Sequence, residues 1–294
     1  MIRARLEQLT NSLRATARFA RGRRRHACTL VAVARDEGPY IAEWLAFHLA
    51  IGFERILVFD HGSADETGAI VRRAAMRTQA VSLHAVPEAH GGSPQIAAYA
   101  AALPFVRTPW VAFFDIDEFL VPWRDGSVQA FIARVPDDVS AVHINWRSFG
   151  SSGLTEPGYD LVTEAFVRCA EADWQYQAHY KTLARTAQIR QVNIHELETR
   201  TGRRTLSDFT DVAPGTIGSA DRIVYDGIQL NHYQAKTRSE FDRRMRHPRA
   251  DAPNVSRMAD RDLRWQLLDR NEVEDRSIRR FQPMLRAKLK QMTG

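Results

Sequence analysis

The sequence predicts an α/β protein built on a mostly parallel central sheet flanked by helices. In the first half of the chain, short β-branched apolar segments alternate with helix-like segments, which is typical of repeated βαβ units. Charged side chains follow the ends of several of these apolar segments. Because ligands bind beyond the carboxyl ends of the strands in such sheets, the same pattern predicts a functional site there.

Five strands are predicted in this half, and each is a short run of mostly apolar residues. They are CTLVAVA (28–34), RILVFD (55–60), VSLHAV (81–86), WVAFFDID (110–117) and AVHINW (141–146). A strand that is buried on both faces does not alternate with polar residues, and the first segment shows no such alternation.

Helices are predicted between these strands from their start and stop signals. Pro39 opens YIAEWLAFHLAI, which closes at Gly52. Ser63 and Glu66 have capping-box spacing for the next helix. Ser93 is the predicted N-cap of SPQIAAYAAAL, and SVQAFIARV predicts a helix after the fourth strand.

The second half of the chain is less regular and ends in predicted helices. RSFGSSG predicts a flexible loop, and residues 199–222 lack periodicity over a length that is unusual for a simple connection. We therefore expect a basic N-terminal arm at 1–26, one α/β domain at 27–250 with an irregular later part, and a C-terminal helical extension at 251–294.

The net charge of +6 is confined to the predicted arm. Residues 1–26 hold eight arginines and one acid, so the rest of the chain is close to neutral and predicts no specific nucleic-acid partner. The arm is either an amphipathic helix in peripheral contact with anionic lipid or a solvated segment. Two cysteines, no membrane-length apolar run and no secretory signal predict a cytoplasmic protein.

The segment WVAFFDIDEFL places three acids at the mouth of an apolar strand, where burial of a carboxylate is costly. Residues i and i+2 of a strand share a face, so Asp115 and Asp117 are expected side by side. A divalent cation relieves the repulsion between two such carboxylates, and Mg²⁺ or Mn²⁺ can link them to substrate phosphates. The alternative is that these acids cap a turn or pair with Arg124.

Two further groups of polar residues point to a nucleotide. Asp60 ends a predicted strand, where it could accept hydrogen bonds from a ribose or base, although a helix-entry turn is the alternative. LNHYQAKT brings His232 and Lys236 together ahead of several arginines, and such cations suit a diphosphate. The chain has no G-x-G-x-x-G after the first strand and no P-loop motif, which argues against a dinucleotide or P-loop site.

Four segments together resemble bacterial glycosyltransferases of the family 2 type, and most closely the branch akin to glycosyltransferase family 92. They are ARDEGPYIAEWLAFHLAIGFERILVFDHGSADET, WVAFFDIDEFLVP, RSFGSSG and LNHYQAKTRSEFDRRMR. The resemblance covers roughly residues 28–250. It implies a GT-A fold, a nucleotide-sugar donor (usually a UDP-sugar), a divalent metal and inversion at the anomeric carbon.

The resemblance also implies roles for individual residues. Asp115 and Asp117 match the metal-binding D-x-D pair, and His232 matches a later metal ligand. Two positions depart from the family pattern. Asp36 stands where Asn is usual, and His61 stands where Asn or Asp is usual. These departures bear on which nucleotide base the site prefers. The implied contacts to the nucleotide are Arg35, Glu37, Asp60, Gln95 with the adjacent Tyr99, Asp115 and Lys236.

The predicted function is metal-dependent transfer of a sugar to a glycan, lipid-linked or polysaccharide acceptor, with Asp117 in a catalytic role. A carboxylate after the D-x-D segment would deprotonate the acceptor hydroxyl, and the candidates are Glu164 and Asp173, together with Glu171 and Asp208.

Two other functions are the alternatives. A sugar-phosphate nucleotidyltransferase would need a Gly-rich basic loop after the first strand, where ARDEGPY is acidic. A membrane- or nucleic-acid-binding module would work through the basic arm. Removal of residues 1–26 would then abolish its function, whereas an enzyme would lose only its location.

Overall fold

The computed structural model describes residues 25–89, 92–213, 215, 217–246 and 260–293. The predicted basic arm therefore lies outside the described residues, except for Arg25 and His26. Within the described ranges, every helix is too short or too polar to cross a bilayer.

The strands and helices are numbered separately in chain order. The strands are β1 (Cys28–Ala34), β2 (Arg55–Asp60), β3 (Val81–Ala85), β4 (Trp110–Phe113), β5 (Glu118–Val121), β6 (Val139–Ser148), β7 (Arg168–Cys169), β8 (Tyr180–Arg185), β9 (Ile189–Val192), β10 (Leu197–Thr199), β11 (Arg203–Thr205), β12 (Gln229–His232) and β13 (Val273–Glu274). The helices are α1 (Gly38–Ala50), α2 (Thr67–Arg77), α3 (Pro94–Ala102), α4 (Val128–Ile132), α5 (Val162–Ala165), α6 (Arg238–Met245), α7 (Arg261–Leu268) and α8 (Gln282–Thr293).

A nine-stranded sheet runs through the centre of the molecule in the order β3-β2-β1-β4-β8-β6-β12-β5, with β11 also paired to β6. The first four strands are parallel, as βαβ units require. β8 is antiparallel to both β4 and β6, whereas β12 is parallel to β6 and antiparallel to β5. The predicted α/β fold with a mostly parallel sheet is confirmed.

The helix boundaries follow their local chemistry. α1 has Pro39 in its first turn, and the chain leaves it through Gly52, whose φ of 103° lies in the left-handed region that favours glycine. Ser93 caps α3 by accepting a hydrogen bond from a backbone N–H. The capping-box prediction for Ser63 and Glu66 is wrong. The helix begins only at Thr67, and the Ser63 hydroxyl donates to the strand-end carboxylate instead.

The fourth predicted strand is shorter than expected, and this changes how the two aspartates are placed. β4 ends at Phe113, and a turn carries Asp115 and Asp117 before β5 begins at Glu118. The expectation that the aspartates share a face through strand alternation is therefore wrong. The backbone conformation of the turn, and not the alternation of side chains along a strand, sets the direction of each carboxylate.

The RSFGSSG segment is fastened by hydrogen bonds to the C-terminal part of the chain. The backbone N–H of Ser151 donates to Asp269 at 2.6 Å, and that of Ser152 donates to Asn271 at 2.7 Å. A Cβ on Gly150 would lie 2.3 Å from the carbonyl oxygen of Arg270. The predicted flexible loop is instead an anchored one.

The described part of the predicted C-terminal extension packs on the core of the α/β domain. Phe281 and Leu285 belong to the same buried apolar cluster as Trp44 and Phe47 of α1. The ring centroids of Phe47 and Phe281 are 6.0 Å apart in an edge-to-face contact. Residues 260–293 therefore help to support α1, whose N-terminus faces the candidate site.

Candidate active site

A cleft of about 850 Å³ lies at the carboxyl ends of the parallel strands. The segments after β1, β2 and β4 line it. The ends of β6 and β12, together with α6 and α7, also contribute lining residues. Seven of the predicted site residues line this cleft, namely Arg35, Glu37, Gln95, Asp115, Asp117, His232 and Lys236.

Asp115 is held by two side chains on neighbouring elements. Its Oδ1 accepts a hydrogen bond from Gln95 at 2.7 Å, and its Oδ2 lies 2.9 Å from the ammonium of Lys181. Gln95 also bonds to the hydroxyl of Tyr99, so the predicted polar pair on α3 supports the aspartate. The negative charge of Asp115 is therefore already balanced by a protein cation.

Lys181 and Glu118 form the buried base beneath this aspartate. Lys181 is fully buried, and burial lowers its pKa, but Asp115 and Glu118 raise it above its ordinary value overall. Burial raises the pKa of Glu118, and the lysine opposes that rise. The two carboxylate oxygens of Glu118 accept N–H bonds from Trp146 and from the backbone of Asp115, each at 2.8 Å. These contacts fix the turn that carries both aspartates.

Asp117 has a different set of partners from Asp115. Its Oδ1 lies 3.4 Å from Nε2 of His232, and its Oδ2 accepts a hydrogen bond from Arg244 at 2.8 Å. Burial raises the pKa of Asp117, but His232, Lys236 and Arg244 together hold it well below its usual range. Asp117 is therefore an ionised carboxylate. Burial lowers the pKa of the adjacent His232 imidazole, and Asp117 opposes that effect.

Lys236 and Arg243 border the cleft through contacts with Tyr40. The Lys236 ammonium lies 4.3 Å from the centre of the Tyr40 ring, and Arg243 donates to the Tyr40 hydroxyl at 3.0 Å. Tyr40 in turn donates to Glu240 at 2.7 Å, and Glu240 also completes a capping box with Thr237 at the start of α6. Lys236 has a φ of 51°, a conformation that non-glycine residues adopt where the surrounding structure enforces it.

The end of the cleft nearest β1 and β2 contains two of the predicted nucleotide contacts. Arg35 and Glu37 line it, and burial raises the pKa of Glu37 to about 7, with Lys236 opposing this effect. Asp60 does not line the cleft, and its Oδ1 accepts hydrogen bonds from the backbone N–H and the hydroxyl of Ser63. The helix-entry interpretation of Asp60 therefore matches its contacts.

The predicted candidates for the catalytic base lie outside the cleft wall. The Glu164 carboxylate pairs with Arg286, with oxygen and nitrogen 2.6 Å apart. Asp173 is exposed, and the Asp208 carboxylate accepts from Thr210. None of these residues, nor Glu171, is among the residues that line the cleft. The structure thus brings the donor-side candidates together but not the proposed bases.

Three residues of the cleft region were not predicted from the sequence, namely Lys181, His195 and Glu240. Lys181 stands in YKTLAR, where a lysine between strand residues is usually solvated. Glu240 could have been found, because Thr237 and Glu240 have capping-box spacing. His195 lies in an irregular segment that has no motif, so its sequence neighbours carry no signal of its position.

The cleft offers fewer closely spaced metal ligands than the D-x-D pattern predicts. Among the described residues, no group of three or more His, Cys, Asp or Glu side chains is close enough to hold a metal ion. Asp117 and His232 do lie together and offer one carboxylate and one imidazole. Mg²⁺ is often held by one or two carboxylates plus substrate phosphates, and Asp117 can supply one such carboxylate with the His232 imidazole beside it.

The fold and cleft define an α/β protein that combines carboxylates with arginine and lysine at the ligand-binding edge of its sheet. A family model for glycosyltransferase family 92 matches residues 34–283. The chain therefore belongs to glycosyltransferase family 92, as the resemblance of its four segments implied. The mixed α/β architecture agrees with the GT-A fold expected for it.

Curated relatives in plants carry the same family name. A glycosyltransferase family 92 protein of Ricinus communis is 26% identical over 140 residues, which cover 46% of this chain and 25% of the relative. One of Arabidopsis thaliana is 23% identical over 160 residues, which cover 51% and 27%. The chain thus spans about a quarter of the length of the curated relatives it matches.

Solved structures with weaker similarity include two bacterial proteins. Residues 1–349 of TarS from S. aureus, solved also with UDP, give a TM-score of 0.36 at about 20% identity over 55% of this chain and 47% of that one. Glucosyl-3-phosphoglycerate synthase from Mycobacterium tuberculosis, solved with Mn²⁺, UDP and glucosyl-3-phosphoglycerate, gives 0.30 at 17% identity over 41% and 44%. TM-scores this low support no conclusion about this chain.

Proposed function

We propose that this protein transfers a sugar from a nucleotide-sugar donor, a UDP-sugar, to a carbohydrate or lipid-linked acceptor with inversion. The observation that carries the proposal is the Asp117 environment in a family 92 chain, where one carboxylate meets His232, Arg244 and Lys236 in one cleft. A diphosphate is a group that such cations can bind and whose leaving charge they can stabilise.

The donor would lie along the cleft with its nucleoside toward the ends of β1 and β2. Arg35 and Glu37 border that end and would contact the base and ribose. Asp115, held by Lys181 and Gln95, would present a fixed carboxylate at the middle of the donor. The diphosphate would then face Lys236 and Arg244, and Asp60 would act indirectly through the turn at Ser63.

Asp117 and His232 would hold a divalent metal together with the donor phosphates. When bound, the ion supplies positive charge that stabilises the departing diphosphate. Arg244 already lies against the second oxygen of Asp117, so it can orient this carboxylate and add charge at the same place. Lys236 is fixed over the Tyr40 ring and would provide a second phosphate contact.

In the transfer step, the acceptor hydroxyl oxygen bonds to the anomeric carbon as the bond from that carbon to the diphosphate breaks. The nucleoside diphosphate leaves, and the hydroxyl proton is released to a base. Because Glu164 and Asp173 lie outside the cleft wall, this proposal gives them no part in the step.

The test is release of nucleoside diphosphate from a panel of UDP-, GDP- and ADP-sugars, with Mn²⁺ and with EDTA. We expect turnover of a UDP-sugar, and a strong loss of it in Arg244→Met. Arg279→Met, on a segment outside the cleft, is the matched control. Release of pyrophosphate from a nucleoside triphosphate and a sugar phosphate would instead identify a nucleotidyltransferase. Turnover of no donor by the intact chain would refute the proposal.

A further inference from the structure

One flank of the cleft is built from aromatic and apolar side chains. It is made by Trp146 of β6, Tyr176 of the turn at Gln175–Ala178, and Ile194 with His195 ahead of β10. We call these four residues the aromatic flank. It adjoins the Asp117 pair, because Trp146 contacts His232, the partner of Asp117.

Tyr176 is half-buried, so part of its ring remains open to the cleft while other rings support it. Its ring stacks on Trp174 with centroids 5.0 Å apart and an interplanar angle of 27°. It also packs on Trp146 at 5.9 Å and on His179 at 4.9 Å. The guanidinium of Arg270 lies 4.8 Å from the Trp174 ring, and neither of these two residues lines the cleft. The ring is thus a preorganised platform.

The side chain of His195 supplies polarity without charge. Burial, with Lys181 nearby, lowers its pKa to about 4, so the imidazole is neutral at physiological pH. Its Nδ1 is buried and has no hydrogen-bond partner among the described residues. A buried polar atom of this kind is usually satisfied by ordered water, and the His195 residue itself lines the cleft.

The charged groups nearest the aromatic flank already have protein partners. Asp115 is paired with Lys181, and Asp117 is paired with Arg244. The four flank residues include neither a carboxylate nor a cationic lysine or arginine, although Arg264 of α7 also lines the cleft. The aromatic flank therefore matches an uncharged ligand better than an anionic one.

We propose that the aromatic flank is the acceptor subsite and that it binds the uncharged sugar ring of a glycan. The apolar face of a pyranose packs on the Tyr176 ring, and a ring hydroxyl hydrogen-bonds to the His195 imidazole. The assignment of this subsite to the acceptor rests on the proposed function, because the acceptor of a glycosyltransferase must lie beside the sugar end of the donor.

Saturation-transfer NMR on the full chain, with UDP and Mn²⁺ present, tests the inference. The probes are neutral trisaccharides of glucose, mannose, galactose and N-acetylglucosamine, with trigalacturonic acid and 3-phosphoglycerate as anionic counterparts. We expect at least one neutral trisaccharide to bind. Tyr176→Ala should weaken its Kd about tenfold, whereas Tyr176→Phe should stay within about threefold of the parent chain. Phe105→Ala, an exposed aromatic outside the cleft, is the control for surface effects.

Two results would overturn the inference. One is binding of an anionic probe with no binding of any neutral one, and the other is an unchanged Kd in Tyr176→Ala. Calorimetry of UDP binding to the parent chain separates this inference from the proposed function. Absence of UDP binding would refute the donor proposal, while the NMR result would still decide whether the aromatic flank binds sugar.

Discussion

The ammonium of Lys181 lies 2.9 Å from Oδ2 of Asp115 at a place where the lysine is wholly buried. The same ammonium is 3.7 Å from the buried carboxylate of Glu118. The Lys181 ammonium thus forms ion pairs with two carboxylates beneath the turn that carries Asp115 and Asp117. This arrangement makes Asp115 a fixed part of the cleft wall, whereas Asp117 faces the cations of α6.

Replacing Lys181 should destabilise the whole fold. Lys181→Met removes the cation from the buried carboxylate of Glu118 and the half-buried carboxylate of Asp115. Breaking the fully buried pair of Lys181 and Glu118 in this way costs about 3–5 kcal/mol. Urea unfolding of the variant measures the free energy of unfolding. Lys290→Met, at an exposed position of α8, should change it by less than about 0.5 kcal/mol.

The double variant Lys181→Met with Glu118→Gln should recover part of the lost stability, because one uncompensated charge is gone. A Lys181→Met chain as stable as the parent would show that the buried cation is not needed by the two acids.

Asp117 and Asp115 should differ in their effect on metal binding. Asp117→Asn removes a carboxylate that lies beside His232, and we expect Mn²⁺ affinity in the presence of UDP to fall by at least about tenfold. His232→Gln should act in the same direction. Asp115→Asn should have a smaller effect, of about threefold or less, because Lys181 and Gln95 take both Asp115 oxygens at 2.9 and 2.7 Å, whereas Oδ1 of Asp117 has its nearest partner, His232, at 3.4 Å.

Isothermal titration calorimetry with Mn²⁺ measures these affinities independently of turnover. Asp125→Asn is the matched control, since Asp125 pairs with Arg134 outside the cleft. Equal losses in Asp115→Asn and Asp117→Asn would mean that both aspartates are metal ligands.

The sequence predicts well which residues meet at the ends of β1, β2 and β4, because strand ends have clear sequence signals. β1, β2 and β4 are parallel neighbours, so residues that are far apart in sequence, such as Arg35 and Asp117, come to the same edge. Apolar strand patterns and the polar residues that follow them are local signals. Because strands joined by βαβ connections run parallel, their carboxyl ends meet at one edge of the sheet, where ligands bind.

The buried contacts beneath Asp115 could not be predicted in the same way. Lys181 meets Asp115 across 66 residues, and only the antiparallel insertion of β8 between β4 and β6 brings them together. A local pattern does not reveal such a pairing. The prediction that Asp115 and Asp117 lie on one face of a strand was wrong because it assumed that the strand continues to Asp117. β4 ends four residues earlier, at Phe113.

His48 should make the stability of the fold depend on pH. Its Nε2 accepts the backbone N–H of Leu120, so its Nδ1 carries the proton and donates to the Trp44 carbonyl oxygen. Burial lowers its folded-state pKa to about 3, below the ordinary value of 6.5. The unfolded chain therefore binds the proton first, and the contribution of His48 is complete above about pH 6.5 and is lost as pH falls toward about 3.

The free energy of unfolding should accordingly fall by about 2 kcal/mol between pH 7 and pH 5 through His48 alone. His48→Gln keeps an amide donor and acceptor but does not titrate, so its loss over this interval should be smaller by that amount. His84→Gln, at a half-buried site, should reduce the loss far less. Urea titrations at both pH values measure the difference, and identical pH slopes for the parent and His48→Gln would contradict the assignment.

The close approach at Gly150 should make the anchored RSFGSSG segment intolerant of a side chain. A Cβ there would lie 2.3 Å from the carbonyl oxygen of Arg270, so the backbone of one segment must move. We expect Gly150→Ala to lower the free energy of unfolding by about 1–3 kcal/mol, the usual range for overpacking. Gly158→Ala is the matched control, since no neighbouring atom lies within 4 Å of its Cβ position.

The same substitution should also reach the cleft. The segment that Gly150 contacts continues from Leu268 of α7, which lines the cleft, and the hydrogen bonds of Ser151 to Asp269 would be strained by the shift. Amide hydrogen exchange of Gly150→Ala should therefore rise at residues 265–271 and not at β2 or β3. Exchange that rises equally over the whole chain would mean that the substitution lowers global stability without releasing this anchor, and the link between the loop and the cleft would be lost.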